Sequence, residues 1–259
     1  MSTTTPTTTV IERAASAAPA TTHRGVALVA GFMYLVTIVA SVPAQYVNYA
    51  PVFSNARYVL GEGADTRVLW GGLLEFITAL ACIGTAVVLY PVVRRQHEGV
   101  ALGFVTARVL EAGLIVTGIV SMLSVTTLRQ PDATGTEATS LVAAAQALVA
   151  IHDWTFLLGP NLLLGLNTLL YSYLLSRTGL VPRPLAALGM IASALILIQG
   201  PLQMFGVFQP LSAPVIALSL PVAAFEMILA GWLIVKGFGS SAVPEPARRP
   251  ALTPVLRPA

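Results

Sequence analysis

The sequence predicts an all-α membrane protein, a bundle of six transmembrane helices with both termini on the cytoplasmic side. Apolar residues make up 56% of the 259 residues, only 10% are charged, and the mean hydropathy is +0.80. A water-soluble domain carries about 25% charged residues. Crossing the ~30 Å hydrocarbon core of a bilayer takes about 20 consecutive apolar residues, and the chain contains six stretches of that length.

Residues 1–24 are rich in Thr, Ala, Ser and Pro, so we predict a disordered cytoplasmic tail there. Residues 25–238 form the predicted membrane domain, with spans at 26–47, 68–93, 100–128, 154–175, 185–208 and 214–236. Residues 239–259 contain prolines and arginines and are predicted to form a second disordered cytoplasmic tail. The first span also has features of a signal peptide, but its cleavage would leave an odd number of spans.

The basic residues predict the orientation of the spans, because short cytoplasmic loops retain Lys and Arg. Ten of the fourteen Lys and Arg residues lie on one side: Arg13, Arg24, Arg94, Arg95, Arg177, Arg183, Lys236, Arg248, Arg249 and Arg257. The other side holds Arg57, Arg67 and Arg129. Both termini are therefore predicted to be cytoplasmic, and the expected partner is the lipid bilayer.

Two loops on the predicted outer side are long, at residues 48–67 and 129–153. The second contains an Ala-rich stretch at 137–151 that is expected either to extend the fourth helix or to lie at the membrane interface. Aromatic rings near the span ends are expected at headgroup level; they are Tyr46, Tyr49, Trp70, Trp154, Tyr171, Tyr173 and Trp232.

Four ionisable residues lie within the predicted spans: Glu75, Arg108, Glu111 and Glu226. A charge at the centre of a span costs about 2.5 to 3.5 kcal/mol, so such residues usually face the bundle interior and have partners. Arg108 and Glu111 are three residues apart and share a helix face. At 1.5 Å per residue, Arg108, Glu111 and Glu226 lie about 12, 17 and 15 Å from the cytoplasmic end, so they could meet.

Two interpretations of this predicted cluster stay open. Two carboxylates with one guanidinium leave a surplus negative charge, which could bind a proton or a cation. The same residues could instead form a structural polar lock between the third and sixth spans. Glu75 lies deeper, about 27 Å from the cytoplasmic end, and is expected to lie near His152, Asp153 or an outward-facing cavity.

Four amide side chains are further candidates for a cavity: Asn161, Asn167, Gln199 and Gln203. Pro160 and Pro201 lie beside them, and broken helices often mark binding sites in transporters. Amides also form ordinary hydrogen bonds between membrane helices. The sequence allows both roles.

No catalytic residues, cofactor or metal site are predicted. The three histidines are scattered, and the sequence has no HExxH, G-x-S-x-G or phosphate-loop motif. The one cysteine, Cys82, cannot form an intrachain disulfide. His152 and Asp153 point about 100° apart on a helix, so a capping role for Asp153 is expected rather than a metal site. The basic residues are dispersed over short loops, which argues against nucleic acid as a partner.

Four segments carry a resemblance to a known family: GVALVAGFMYLVTIVAS at the first span, EGVALGFVTARVLEAG from Glu98, GLVPRPLAALGMI after the fourth span, and FEMILAGWLIVKGF from Phe225. In this order they resemble the bacterial membrane proteins grouped as domain of unknown function family 4386, over residues 24–238. The resemblance implies a six-span membrane protein and no established activity. It includes Arg108, Glu111, Pro182, Arg183, Glu226 and Lys236. Thirteen Arg against one Lys also suggest a GC-rich bacterial source, and hence a plasma-membrane location.

Three classes of function remain at this point. A non-catalytic scaffold or regulatory membrane subunit predicts a closed bundle with Arg108 fully paired. A transporter or binding protein for a small molecule, ion or proton predicts that Glu75, Glu111 and Glu226 face one polar cavity. An intramembrane enzyme would need an additional nucleophile or metal, so we expect a protein that is not an enzyme.

Overall fold

The computed structural model describes residues 20–61, 65–210 and 212–239, and within these ranges the chain forms helices and no strand. Six helical segments are long and apolar enough to cross a membrane. Most of the two predicted tails lies outside the described residues. The first helix begins at Ala20, so the last five residues of the first predicted tail are helical.

Each predicted span is helical, and the spans are numbered first to sixth in chain order. The first span is the helix Ala20–Pro43, followed by a π-helical turn at Ala44–Asn48 and a short helix at Ala50–Ser54. A single 3-10 turn, Tyr58–Leu60, lies in the next loop. The second and third spans are Thr66–Val93 and Glu98–Thr127.

The fourth span is longer than predicted and is interrupted. It consists of the helices Gly135–Phe156 and Leu164–Thr178, joined by a π-helical segment at Leu157–Leu163. The Ala-rich stretch at 137–151 therefore extends this helix, one of its two expected positions. The capping role expected for Asp153 is wrong, because the helix begins at Gly135 and Asp153 lies well inside it.

The fifth span is the helix Arg183–Met204 and the sixth is Ala213–Val235. The fifth helix ends four residues before the predicted boundary at 208. Residues 205–208 form turns, in which Gly206 adopts a φ of 74°. Glycine tolerates this left-handed conformation, which reverses the chain toward the sixth span.

The six spans pack as a closed ring. Each span packs against the next one in the chain, and the sixth packs against the first. Small residues allow the closing contact, since a Cβ at Gly31 would lie 2.8 Å from Ile234 Cγ1 and 2.9 Å from the Ala230 carbonyl oxygen. A ring of this kind encloses an interior that every span can line.

Both described chain ends lie at the same end of the ring. The Arg24 guanidinium donates hydrogen bonds to the carbonyls of Leu233, Ile234 and Val235, the shortest being 2.6 Å to Ile234. The Gly239 amide donates to the Leu180 carbonyl at 2.9 Å. We call this end the termini side and the opposite end the far side. That the termini side faces the cytoplasm stays a prediction.

Side chains from all six spans fill the ring on the termini side. The largest of these buried side chains are Tyr34, Leu89, Phe104, Tyr171, Phe225 and Leu229. Two of the aromatic residues expected at headgroup level, Tyr49 and Tyr171, are fully buried between the helices. Tyr46, Trp70, Trp154 and Tyr173 have the exposed rings expected near span ends.

Candidate functional site: a charged cavity inside the helix ring

Arg108 lies at the centre of the ring and contacts two glutamates from different spans. Its Nη1 atom lies 3.0 and 3.2 Å from the two carboxylate oxygens of Glu111, one helical turn further along the third span. Its Nη2 atom lies 3.7 Å from Glu226 Oε1 on the sixth span. The exposed fraction is 1% for Arg108 and 9% for Glu226. The structure thus brings together the three residues that their predicted depths suggested could meet.

Side chains of the second and fourth spans complete the surroundings of Glu111. The Asn167 side-chain amide donates a hydrogen bond of 2.5 Å to Glu111 Oε2. The Cys82 thiol lies 4.0 Å from Glu111 Oε1, and Arg108 Nη1 lies 3.5 Å from the Cys82 sulfur. Glu111 therefore has a cation, an amide and a thiol as its neighbours.

Arg108 retains hydrogen-bonding capacity that no side chain in the described residues uses. Its Nε and Nη2 atoms are buried and have no hydrogen-bond partner there, since the 3.7 Å separation from Glu226 exceeds hydrogen-bond length. The guanidinium carbon lies 5.4 Å from the centre of the Tyr34 ring, a favourable cation–π distance. Buried donors usually have an acceptor, and these two nitrogens have none in this conformation.

Stacked aromatic side chains close the interior of the helix bundle between Arg108 and the termini side. Tyr171 stacks on Phe104 at a centroid distance of 5.1 Å and on Tyr34 at 6.3 Å. All three residues are at most 2% exposed. In this conformation the charged cluster is separated from the termini side by a packed apolar layer.

A cavity of about 200 Å³ lies directly against the charged cluster, and we call it the inner cavity. All four of the predicted intramembrane charges line it: Glu75, Arg108, Glu111 and Glu226. Smaller polar residues of the first and second spans add to the lining: Thr37, Ser41, Gln45, Thr78 and Cys82. The inner cavity therefore holds three carboxyl groups against one guanidinium, within a wall that also contains hydroxyl, amide and thiol groups.

A larger cavity of about 440 Å³, the vestibule, adjoins the inner cavity on the far side. The two cavities share five lining residues: Gln45, Tyr46, Phe156, Pro160 and Leu164. The vestibule also reaches Asp153 and Pro210, which are both exposed. It therefore lies between the inner cavity and the far-side surface.

Both π-helical segments of the bundle border the passage between the two cavities. Gln45 and Tyr46 belong to the π-helical turn at the end of the first span, and Pro160 belongs to the one that interrupts the fourth. A π-helical turn inserts an extra residue, and such turns occur often at functional sites. Proline removes one helical hydrogen bond, which helps to explain the interruption in the fourth span.

Glu75 borders the inner cavity and also belongs to a second polar group. The Tyr49 hydroxyl donates a 3.0 Å hydrogen bond to Glu75 Oε2. His152 Nε2 lies 3.8 Å from Glu75 Oε1, and His152 Nδ1 lies 3.7 Å from Asp153 Oδ1. Glu75 thus lies both near His152 and on a cavity wall.

The amide candidates occupy three different positions. Asn167 hydrogen bonds to Glu111, as described above, while Asn161 and Gln203 line the vestibule. Gln199 is fully buried, and its oxygen accepts a 3.1 Å hydrogen bond from Ser219, a residue of the vestibule wall. The amides do not form a single cluster.

An ion pair between two loops holds the far side together. Arg129 pairs with Asp65, donates a hydrogen bond to the Gly61 carbonyl, and lies over the Tyr58 ring at 4.7 Å. Burial, together with the hydrogen bond that Tyr58 donates to Asp65, raises the pKa of Tyr58 to about 12. The phenol therefore stays protonated and keeps donating at physiological pH.

The polar stripe of the first span and the contacts of the tyrosines are absent from the sequence-based predictions. Thr37, Ser41 and Gln45 recur every four residues, which places them on one helix face. Glu75, Thr78 and Cys82 have a similar spacing on the second span. Polar spacing within each span is the signal that could have found them. The contacts of Tyr34, Tyr49 and Tyr171 depend on packing between spans that are distant in sequence.

No group of three metal-ligating side chains occurs in the described ranges 20–61, 65–210 and 212–239. The site residues found there are carboxyl, guanidinium, amide and hydroxyl groups. Such groups bind charged and polar partners by ion pairing and hydrogen bonding.

A ring of six apolar helices, each long enough to span a membrane, defines a polytopic α-helical membrane protein. Residues 29–237, most of the chain, match the family described as Domain of unknown function (DUF4386), and the chain belongs to that family. This confirms the resemblance found in the four sequence segments. No curated protein and no solved structure matches the chain.

Proposed function

We propose that this protein binds a small polar solute in the inner cavity and carries it across a membrane, which we infer to be the bacterial plasma membrane. The observation that carries the proposal is the inner cavity itself, which brings Glu75, Arg108, Glu111 and Glu226 to one wall. A scaffold or regulatory subunit, the other main function that the sequence allows, needs no cavity among these residues.

The charge of the cavity indicates the kind of solute. Three carboxyl groups face one guanidinium, so the ionised cavity carries surplus negative charge that favours a cationic group on the solute. Arg108 lines the cavity and has two donors without an acceptor, so a turn of its guanidinium toward the solute would favour an acceptor as well. A solute with a cationic ammonium group and an oxygen acceptor, such as an amino acid or a betaine, satisfies both requirements.

The layout of the cavities supports access from one side at a time. The vestibule lies between the far-side surface and the inner cavity, while the stacked rings of Tyr34, Phe104 and Tyr171 close the termini side. A transporter in alternating access has this arrangement in one of its two states. Movement of the interrupted fourth span would open the other side.

Thermal unfolding of the purified protein tests solute binding. We would screen amines, amino acids, betaines and small carboxylates for a rise in Tm in lipid nanodiscs. A ligand at 100 times its Kd stabilises the folded state by about 2.7 kcal/mol. We expect cationic or zwitterionic solutes to raise Tm and carboxylates without an amine to leave it unchanged.

A matched pair of variants ties any rise in Tm to the inner cavity. Thr37 lines the cavity, whereas Thr117 is exposed on the outer face of the third span, and both hydroxyls bond to a carbonyl of their own helix. Thr37→Leu should abolish the rise, because leucine fills part of the cavity, and Thr117→Leu should retain it. Equal shifts in the two variants, or no shift with any solute, would count against the proposal.

A further inference from the structure

His152 is a buried histidine with a carboxylate at each ring nitrogen. It lies on the fourth span and is 1% exposed. Nδ1 lies 3.7 Å from Asp153 Oδ1, and Nε2 lies 3.8 Å from Glu75 Oε1. An imidazole between two carboxyl groups can accept a proton at one nitrogen and release another from the opposite nitrogen.

The two carboxylates next to His152 lie in different environments. The Asp153 side chain is 63% exposed and lines the vestibule. Glu75 is 7% exposed and lines the inner cavity together with Glu226 and Arg108. His152 therefore lies between a residue of the vestibule wall and a residue of the inner cavity wall.

Aromatic side chains enclose the imidazole on its other faces. The rings of Tyr49, Phe53 and Phe156 lie 5.5, 5.4 and 6.2 Å from the His152 ring. The third span presents Gly118, where a Cβ would lie 3.3 Å from His152 Cδ2. Among the described residues, the titratable groups around His152 are thus Glu75 on the second span, Tyr49 after the first, and Asp153 beside it.

We propose that Asp153, His152 and Glu75 form a proton path from the far-side surface to the inner cavity. A proton passes from the Asp153 carboxyl group to His152 Nδ1, and the proton on Nε2 passes to Glu75 Oε1. His152 ends as the other neutral tautomer, and Glu75 ends as a neutral acid on the cavity wall. Reorientation of the imidazole, or release of the proton in the reverse direction, restores the starting state.

The distances require a small movement for each transfer. Both separations are about 1 Å longer than a hydrogen bond. A rotation of the imidazole or a bridging water molecule would close each gap. Tyr49 already donates to the other oxygen of Glu75 at 3.0 Å, which leaves Oε1 toward His152. The delivered proton reduces the surplus negative charge of the cavity, so the path supplies a coupling ion; this last step rests on the proposed function.

Nuclear magnetic resonance of histidine labelled with ¹⁵N tests the path without any solute. The chain has three histidines, so the His152 signal can be assigned by its loss in His152→Gln, with His23 and His97 as internal references. In nanodiscs we expect His152 to titrate with bulk pH and its titration midpoint to change in Glu75→Gln. The rate at which its ring N–H exchanges with water, measured by saturation transfer, should fall tenfold or more in Asp153→Asn.

A second variant separates the two possible routes of proton entry. Thr37→Leu narrows the inner cavity and should leave the exchange rate within twofold of the wild-type rate. An exchange rate that is unchanged in Asp153→Asn but reduced in Thr37→Leu would overturn the path, as would a His152 signal that does not respond to pH. A negative solute screen would remove the proposed function and leave this measurement valid.

Discussion

At the scale of single residues, the charged cluster is held by contacts from four different spans. Arg108 pairs with Glu111 and Glu226, and Asn167 and Cys82 contact Glu111. Removing one member of a buried ion pair leaves an uncompensated charge. The resulting loss of stability is larger than the stabilisation that the intact pair provides. Arg108 is therefore the residue whose loss should destabilise the fold most strongly in this cluster.

Arg108→Gln should lower the free energy of unfolding by about 3 to 5 kcal/mol, because it leaves two carboxylates without their cation. The double variant Arg108→Gln/Glu111→Gln should be destabilised by less than the sum of the single changes, since the residues interact directly. Unfolding by SDS, followed by circular dichroism in mixed micelles, measures both effects. An Arg108→Gln variant within 1 kcal/mol of wild type would contradict this account of the cluster.

The common level of Arg108, Glu111 and Glu226 could be predicted from helical rise alone, because each depth depends only on a count of residues from the span end. The depth of Glu75 follows in the same way, and it leaves His152, Asp153 or an outward-facing cavity as the expected surroundings. That Glu75 borders the same cavity as Glu111 and Glu226 is a prediction of the transporter hypothesis alone and does not follow from depth. It depends on how far the side chains reach across the interior of the ring, which no single span determines.

At the scale of elements, the interrupted fourth span differs most from its prediction. Its first half is rich in alanine and polar residues, so hydropathy alone located only residues 154–175. Pro160 indicated an interruption, but a proline in sequence does not distinguish a kink from a π-helical turn. The turn depends on the hydrogen bonds of the folded backbone, and it places Pro160 on the walls of both cavities.

The close contact between the first and sixth spans predicts that alanine variants at two glycines differ in stability. Gly31→Ala should cost about 1 to 3 kcal/mol, because its Cβ would lie 2.9 Å from the Ala230 carbonyl oxygen on the sixth span. Gly231→Ala is the matched control, since no heavy atom lies within 4 Å of its added Cβ. The same SDS unfolding experiment compares the two. Equal stability of the variants would show that the first and sixth spans do not pack this closely.

At the scale of the whole molecule, the ring of six spans encloses a charged cavity that adjoins the vestibule on the far side. The fold class was predictable because hydropathy and span length are properties of local sequence. Closure of the ring between the first and sixth spans was not, since it depends on contacts between the two ends of the domain. The cavity depends on that closure, and the proposed function depends on the cavity.

Chemical modification of Cys82 tests the cavity most directly. Cys82 is the one cysteine of the chain, is 2% exposed and lines the inner cavity. In nanodiscs, the cationic reagent 2-aminoethyl methanethiosulfonate should modify it, as measured by intact-protein mass spectrometry. The anionic sulfonatoethyl reagent should react more slowly, because the cavity carries surplus negative charge. Thr37→Leu should slow the modification, and Thr117→Leu should not.

Cys82→Ala shows whether any modification occurs elsewhere, and protein unfolded in SDS shows that the reagents are active. The cavity predicts that folded wild-type protein reacts at Cys82, with the cationic reagent faster than the anionic one. A folded protein that resists both reagents, yet is fully modified once unfolded, would contradict a cavity that is open to solutes.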